Sequence, residues 1–182
     1  MDFIKTELAG VYIIEPSVFY DERGFFMESW SKRAFEAEGL YYDFVQDNHS
    51  LSAAKGTLRG IHLQKGDKAQ AKLMRCVKGA VLDVAVDLRP ESPTYKKWLA
   101  VELSGKNKRQ LLIPRGFGHG FVTLTDDVEI LYKADNPYAP EAELCIRWND
   151  PELSIGWGIE DPILSERDKT APWLKDLRSI YP

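Results

Sequence analysis

Only three histidines occur in this chain of 182 residues, His49, His62 and His119, and two of them sit among glycines. His62 lies in Leu58-Arg59-Gly60-Ile61-His62-Leu63-Gln64, and His119 in Pro114-Arg115-Gly116-Phe117-Gly118-His119-Gly120-Phe121. A histidine on a strand is usually structural. Gly60, Gly118 and Gly120 shift that reading, because glycine weakens a strand and marks bulges or the close approach of a ligand. An imidazole, with an ordinary pKa of about 6.5, can take up a proton near neutral pH and so suits the role of general base. Lys72 alternates with Leu73 on a segment that reads half-buried. A lysine snorkelling to the surface and an ammonium held inside a pocket both fit that pattern. Asp83 and Asp87 share one face of Val81–Leu88 with Val81 and Ala85, while Leu82, Val84, Val86 and Leu88 share the other. The two carboxylates need either water or partners, and a solvated outer face is as compatible with the pattern as a buried paired one.

The elements that must position these residues read as strands. Aromatics make up 12% of the chain, and β-branched residues recur in short bursts punctuated by Gly, Pro, Asn and Asp. The pattern predicts strands over Val11–Ile14, Gly24–Trp30, Tyr42–Asn48, Thr57–Gln64, Ala71–Val77, Val81–Leu88, Lys97–Leu103, Gln110–Ile113, Gly120–Leu124, Ile130–Lys133 and Leu144–Trp148. So many short strands imply an all-β sandwich or barrel. Helices are few. Ser31 caps a short one through Glu38 with Gly39 just past its end, and Asp150–Trp157 and Pro172–Leu177 read as helical turns. Trp148, Trp157 and Trp173 imply that the tail packs onto the body.

Length and composition bound the rest. An apolar share of 44% and a charged share of 29% exclude a disordered or fibrous chain, and residues 1–182 read as a single domain. No apolar run approaches the roughly 18 residues of a membrane span, and Met1–Gly10 has no basic cap or apolar core of a signal peptide. Cys76 and Cys145 are too few for a disulfide framework, so a reducing, cytoplasmic setting is expected. The net charge of -4 disfavours nucleic acid as a partner.

The spacing Pro114-x-Gly116-x-x-His119 resembles the second signature of the cupin superfamily. The first cupin signature places metal-binding histidines at i and i+2. Here His62 matches the first position but Gln64 stands at the second, a poor ligand for a transition metal, and neither cysteine has the spacing of a thiolate site. The expectation is a cupin-type double-stranded β-helix, or jelly roll, with a few short helices and no metal. The resemblance then narrows. Asp21-Glu22-Arg23-Gly24-Phe25-Phe26-Met27-Glu28, Gln46-Asp47-Asn48-His49-Ser50, Leu58-Arg59-Gly60-Ile61-His62, Asp83-Val84-Ala85-Val86-Asp87, the His119 segment, Leu131-Tyr132-Lys133, Trp148-Asn149-Asp150-Pro151 and Leu164-Ser165-Glu166-Arg167-Asp168 follow one another in order. Together they resemble the dTDP-4-dehydrorhamnose 3,5-epimerase family, metal-free cupin-like enzymes of deoxysugar synthesis, over nearly the whole chain.

That resemblance implies a dTDP-linked 4-keto-6-deoxyhexose as substrate, whose C3 and C5 protons are both α to the C4 ketone, and no cofactor. It implies His62 as base with Asp168 as its carboxylate partner, Lys72 beside the C4 oxygen, and Tyr132 as proton donor on the opposite face. Arg23, Arg59, Lys72 and Arg167 would meet the nucleotide's phosphates, although many relatives carry lysine where Arg167 stands. Tyr138 would stack on the thymine, and Glu28, Gln46, Asp47, Asn48, Glu143 and His119 would supply the remaining contacts. A homodimer with exchanged N-terminal strands is implied, which would let Arg23 and Glu28 contribute to the partner's pocket as an alternative to their own. Strict alternation sets Arg59 and His62 on opposite strand faces. Both reach one ligand only if Gly60 breaks the pleat, or if Arg59 serves a neighbouring subunit. Epimerisation at a single carbon, a non-catalytic sugar-binding cupin and a metal-dependent cupin are the competing readings.

Overall fold

The computed structural model describes residues 1–177. Thirteen strands and two short helices follow the chain: β1 (Asp2–Lys5), β2 (Tyr12–Glu15), β3 (Val18–Asp21), β4 (Gly24–Met27), α1 (Lys32–Ala37), β5 (Gln46–Ser52), β6 (Leu58–Gln64), β7 (Lys72–Lys78), β8 (Ala80–Asp87), β9 (Trp98–Ser104), β10 (Gln110–Ile113), β11 (Phe117–Thr123), β12 (Val128–Ala134), β13 (Glu143–Cys145) and α2 (Glu166–Thr170). They form a six-stranded sheet in the order β1-β2-β10-β7-β12-β5 and a five-stranded sheet in the order β13-β6-β11-β8-β9, both antiparallel. Strands distant in sequence are neighbours in both, the layout of the expected jelly roll. Among the described residues, strands β3 and β4 pair only with each other.

Three apolar layers hold the sheets. Met74, Cys76, Val81, Ala85, Leu111, Phe117, Phe121 and Ile130 fill the space between them. Leu58, Ile61, Val84, Val86 and Val122 form the outer face of the five-stranded sheet, covered by Leu153, Trp157 and Leu174 of the tail. Ile14, Leu73 and Leu112 form the outer face of the six-stranded sheet, with Phe35 of α1 packed on them. Val81 and Ala85 belong to the inter-sheet layer, so the Asp83 and Asp87 face of β8 that they share looks into the sandwich. Both carboxylates are fully buried, which overturns the solvated reading of that face. Asp87 accepts bonds from Arg89, Ser92 and Thr94, and Asp83 meets His119.

The Ser31 cap is present, its Oγ accepting from the Ala34 N–H, and Gly39 follows the helix at positive φ. Strand β5 begins at Gln46, four residues later than the alternation predicts. Tyr42 and Phe44 pack beside Phe35 instead of entering a ladder. Residues 151–153 form the expected turn, closed by the Leu153 and Ser154 N–H groups on the Asp150 carbonyl, and it stops short of Trp157. Strands β1 and β3 and helix α2 had no counterpart in the sequence reading. No helix among the described residues is long and apolar enough to cross a membrane.

Candidate active site

The sandwich opens at one end into a cavity of about 470 Å³. The five-stranded sheet contributes Arg59 and His62 from β6 with His119 and Phe121 from β11. The facing sheet contributes Ser50, Lys72, Met74 and Tyr132, and the tail adds Ser165, Arg167 and Asp168. Arg59 and His62 therefore line the same cavity. The break in alternation lies between them: Gly60 has φ +132°, and the β6–β11 register shifts between His119, opposite His62, and Phe121, opposite Arg59. A Cβ at Gly60 would stand 2.5 Å from the Gly120 Cα, a separation no side chain tolerates, so the bend requires glycine. Arg59 is held by Ser52 Oγ at 3.1 Å and the Leu51 carbonyl at 3.2 Å, on strand β5 of the same chain.

His62 Nε2 lies 2.6 Å from Asp168 Oδ1. Asp168 sits in the first turn of α2 and is almost wholly buried. Ser165 secures it twice, accepting from the Asp168 N–H at 3.1 Å and donating to Asp168 Oδ2 at 2.8 Å. The Cys145 thiol is a third neighbour, 3.5 Å from Oδ1. Burial alone would raise the Asp168 pKa. The bonds from His62, Ser165 and Cys145 outweigh it and hold the carboxyl below its ordinary value. An ionised carboxylate so held accepts the Nε2–H of a neutral imidazole and leaves the Nδ1 lone pair as the basic site. Burial and the Asp168 charge push the Cys145 thiol up to about 12.

On the facing wall, burial lowers the Lys72 ammonium to about 8, and the Glu143 and Asp83 carboxylates restore only part of the loss. Burial also raises the Tyr132 phenol, with help from Glu143, so it stays protonated and able to donate. His119 is buried with Nε2 2.9 Å from Asp83 Oδ1. Its pKa is lowered by burial, against the pull of Asp83, which favours a neutral ring. Asp83 Oδ2 is buried with no hydrogen-bond partner among the described residues. At the rim, Glu143 accepts from the Tyr138 hydroxyl at 2.6 Å and from Arg167 at 2.8 Å. Gln46 accepts the Tyr138 N–H and donates to Asn48, which joins strand β5 to this cluster.

The dTDP-4-dehydrorhamnose 3,5-epimerase family model matches residues 5–176. The chain belongs to that family. It is 54% identical over 169 residues to the dTDP-4-dehydrorhamnose 3,5-epimerase of Shigella flexneri, covering 92% of this chain and 93% of the relative. The Bacillus anthracis enzyme of the same name, solved with TDP and pyrophosphate bound, is 47% identical with a TM-score of 0.93, covering 95% of this chain and 99% of that one. A Legionella pneumophila dTDP-6-deoxy-D-glucose-3,5-epimerase in complex with dTDP-4-keto-L-rhamnose is 44% identical with a TM-score of 0.92, covering 98% and 95%. Like these relatives, the chain is a cupin-type epimerase.

Against the family pattern, this chain's own cavity gathers His62, Asp168, Lys72, Tyr132, Arg59, His119 and Arg167, with Tyr138, Glu143, Gln46 and Asn48 clustered at its edge. Three expected contacts are not brought there. Asp47 points to the outer face of its sheet and pairs with Lys133 at 2.9 Å. Arg23 lies at the exposed tip of the β3–β4 hairpin, bonded to Asp21, and Glu28 is exposed just beyond β4. Gln64 bridges two loops, donating to the Lys68 and Pro137 carbonyls and accepting the Ala139 N–H, so its amide has a structural occupation. The structure adds Ser50 and Ser165 to the cavity and sets Asp83 and Cys145 beside it, four residues beyond the expected set. Ser165-x-x-Asp168 has the spacing of a helix capping box and was the signal available for α2.

Proposed function

We propose that the chain inverts C3 and C5 of dTDP-4-dehydro-6-deoxy-D-glucose to give dTDP-4-dehydro-L-rhamnose, as one catalytic domain in a route to dTDP-L-rhamnose. The observation that carries this reading is the placement of His62 and Tyr132 on opposite sheets, facing one cavity. His62, oriented by Asp168, removes a proton α to the ketone. The Lys72 ammonium stabilises the enolate oxygen, a preorganised charge worth about 3 kcal/mol or more. Tyr132 returns a proton from the other side, and the configuration inverts. His119, backed by Asp83, adds polarity to the wall opposite Lys72. Arg59 and Arg167 suit the phosphates, as charge-assisted donors, while Tyr138, exposed at the rim, suits stacking on the thymine. Gln46, Asn48 and Glu143 hold that rim. No step requires a cofactor.

The β3–β4 hairpin supports a homodimer. It exposes Phe19, Tyr20, Phe25 and Phe26 together, an apolar surface that a lone chain leaves in water. Exchange of this arm would carry Arg23 and Glu28 to the partner's cavity. Both cysteines are free thiols, in keeping with a cytoplasmic setting. The test is incubation with the dTDP-linked 4-keto sugar in deuterated water. Label at both C3 and C5 is the expected outcome; label confined to one carbon under long incubation replaces this reading with a mono-epimerase. Tyr132→Phe should retain exchange while losing inversion, because His62 can return a solvent proton to the face it came from. Inversion by Tyr132→Phe at the wild-type rate would remove Tyr132 from the mechanism.

A further inference from the structure

One side chain beside the His62–Asp168 pair, the Cys145 thiol, is not used by the proton chemistry. Cys145 ends β13, and its Cα partner across the ladder is His62. The strand pairing that builds the sheet thus sets a thiol beside the His62–Asp168 pair. His62, Asp168 and Cys145 each offer one ligand atom, and the three atoms lie within 4.8 Å of one another. A tetrahedral zinc ion with nitrogen, oxygen and sulfur ligands needs its donors about 3.4–3.6 Å apart, given bond lengths of about 2.0–2.3 Å. Cys145 Sγ and Asp168 Oδ1 already stand 3.5 Å apart. His62 Nε2 and Asp168 Oδ1, at 2.6 Å, need to separate by less than an ångström. The His62 side chain is partly open to the cavity, which leaves the fourth position to water.

We propose that His62 Nε2, Asp168 Oδ1 and Cys145 Sγ form a three-ligand site for a borderline-soft divalent cation, zinc above all, and that filling it switches the epimerase off. The donor set selects the ion. Imidazole and thiolate suit zinc and cobalt, whereas magnesium and calcium seek oxygen cages. The charge balances, because one carboxylate and one thiolate neutralise a divalent ion. The protons balance as well. The cation takes the Nε2 lone pair, so the single proton of the neutral imidazole resides on Nδ1, and the thiol proton leaves to solvent, one proton released per ion bound. Inhibition follows from the same count. With Nε2 on the metal and Nδ1 protonated, His62 has no lone pair left to accept a proton from the sugar. The ion would be an inhibitor competing for the base, not a cofactor. The site stands on the geometry of the three side chains; only the inhibition rests on the epimerase reading.

The test uses the full-length protein stripped with chelator and then titrated with cobalt(II). The expected result is a sulfur-to-cobalt charge-transfer band in the near ultraviolet that saturates at one ion per chain and is displaced by zinc. The band should vanish in Cys145→Ser and survive in Cys76→Ala, since Cys76 is buried in the inter-sheet core. Zinc should inhibit deuterium exchange, chelator should restore it, and Cys145→Ser should raise the inhibitory zinc concentration at least roughly tenfold relative to that variant's own uninhibited rate. Cys145→Ala provides a second variant if the serine folds poorly, with melts checking both. The absence of a cobalt–thiolate band in wild type, a band that persists in both Cys145 variants, or equal zinc sensitivity in wild type and variants overturns the proposal. The cobalt band reports the site whether or not the sugar assay succeeds.

Discussion

Asp83 and Asp87 stand four residues apart on the same buried face of β8, and their surroundings are opposites. Asp87 is saturated. Its Oδ1 accepts from the Arg89 backbone N–H and Nε, and its Oδ2 from the Arg89 guanidinium, Ser92 and Thr94. Burial would raise its pKa, but the bonds from Arg89, Ser92 and Thr94 bring it down to about 2. Asp83 has one partner, His119, and its second oxygen has none among the described residues. The Asp87 end closes the sandwich, while the Asp83 end lies beside a cavity holding Lys72, His119 and His62. A buried carboxylate with every lone pair used stabilises a loop. One with an unused lone pair near a buried ammonium keeps a polar wall in a state that costs stability and favours binding. One strand thus serves structure at one end and chemistry at the other.

Substitutions can break or sharpen this division. The largest expected effect is at the open end. His62→Ala should lose roughly 10²–10⁴-fold in both exchange and inversion, with a melting temperature close to that of wild type. A melt as depressed as that of a closed-end variant would erase the distinction, and exchange at the wild-type rate would remove His62 from its role as base. Lys72→Met comes next, with an expected loss of roughly 10²–10³-fold in rate. Its pH profile sharpens the point. In wild type the ammonium, faced by Asp83, Glu143 and His119, is charged below about 8 and neutral above it, so activity should fall as pH rises through that value. The variant should lack this alkaline limb. A limb unchanged in Lys72→Met would assign it to another group.

Asp87→Asn should do the reverse. It removes a charge from Arg89 and turns an acceptor toward Ser92 and Thr94 into a donor, costing about 2–3 kcal/mol and lowering the melting temperature by roughly 5–10 °C. Turnover of the folded fraction should stay within about twofold, because no cavity residue touches Asp87. The sign of the pH effect follows from the depressed pKa. The native carboxylate contributes fully above the ordinary value of 3.8, and that contribution is lost as pH falls toward about 2. Denaturation curves of wild type and variant should therefore converge in that window. If Asp87→Asn melts normally yet loses turnover, the closed end is part of the catalytic machinery after all.

Much of this division is legible in the sequence. The alternation in β8 put both carboxylates on one face, and the glycines around His62 and His119 marked where backbone and ligand come close. The environment of that face was not legible. Whether Val81 and Ala85 or Leu82 and Val84 look inward depends on what covers each sheet, and here both faces are covered. The conflict between Arg59 and His62 was visible as a conflict. Its resolution at Gly60 needed the positive φ and the register shift in β6–β11. Spacing along the chain does not mark Cys145, because β13 brings it to His62 across a sheet. Tyr42 and Phe44 read as a strand because aromatics favour strands, yet a cluster with Trp30 and Phe35 claims them first.

The carboxylate bonded to His62 arrives 106 residues after it, on the tail whose Leu153, Trp157 and Leu174 cover the five-stranded sheet. Protein synthesis therefore finishes every strand of the jelly roll before it delivers Asp168. A chain ending at β13 through a premature stop or proteolysis lacks the carboxylate that bonds His62 and leaves Leu58, Ile61, Val84, Val86 and Val122 without their lid. Such a product presents a sticky apolar sheet of the kind that chaperones and proteases survey. The same tail carries Asp168 and the side chains that hide the apolar sheet, so one truncation removes the partner of His62 and uncovers that surface together.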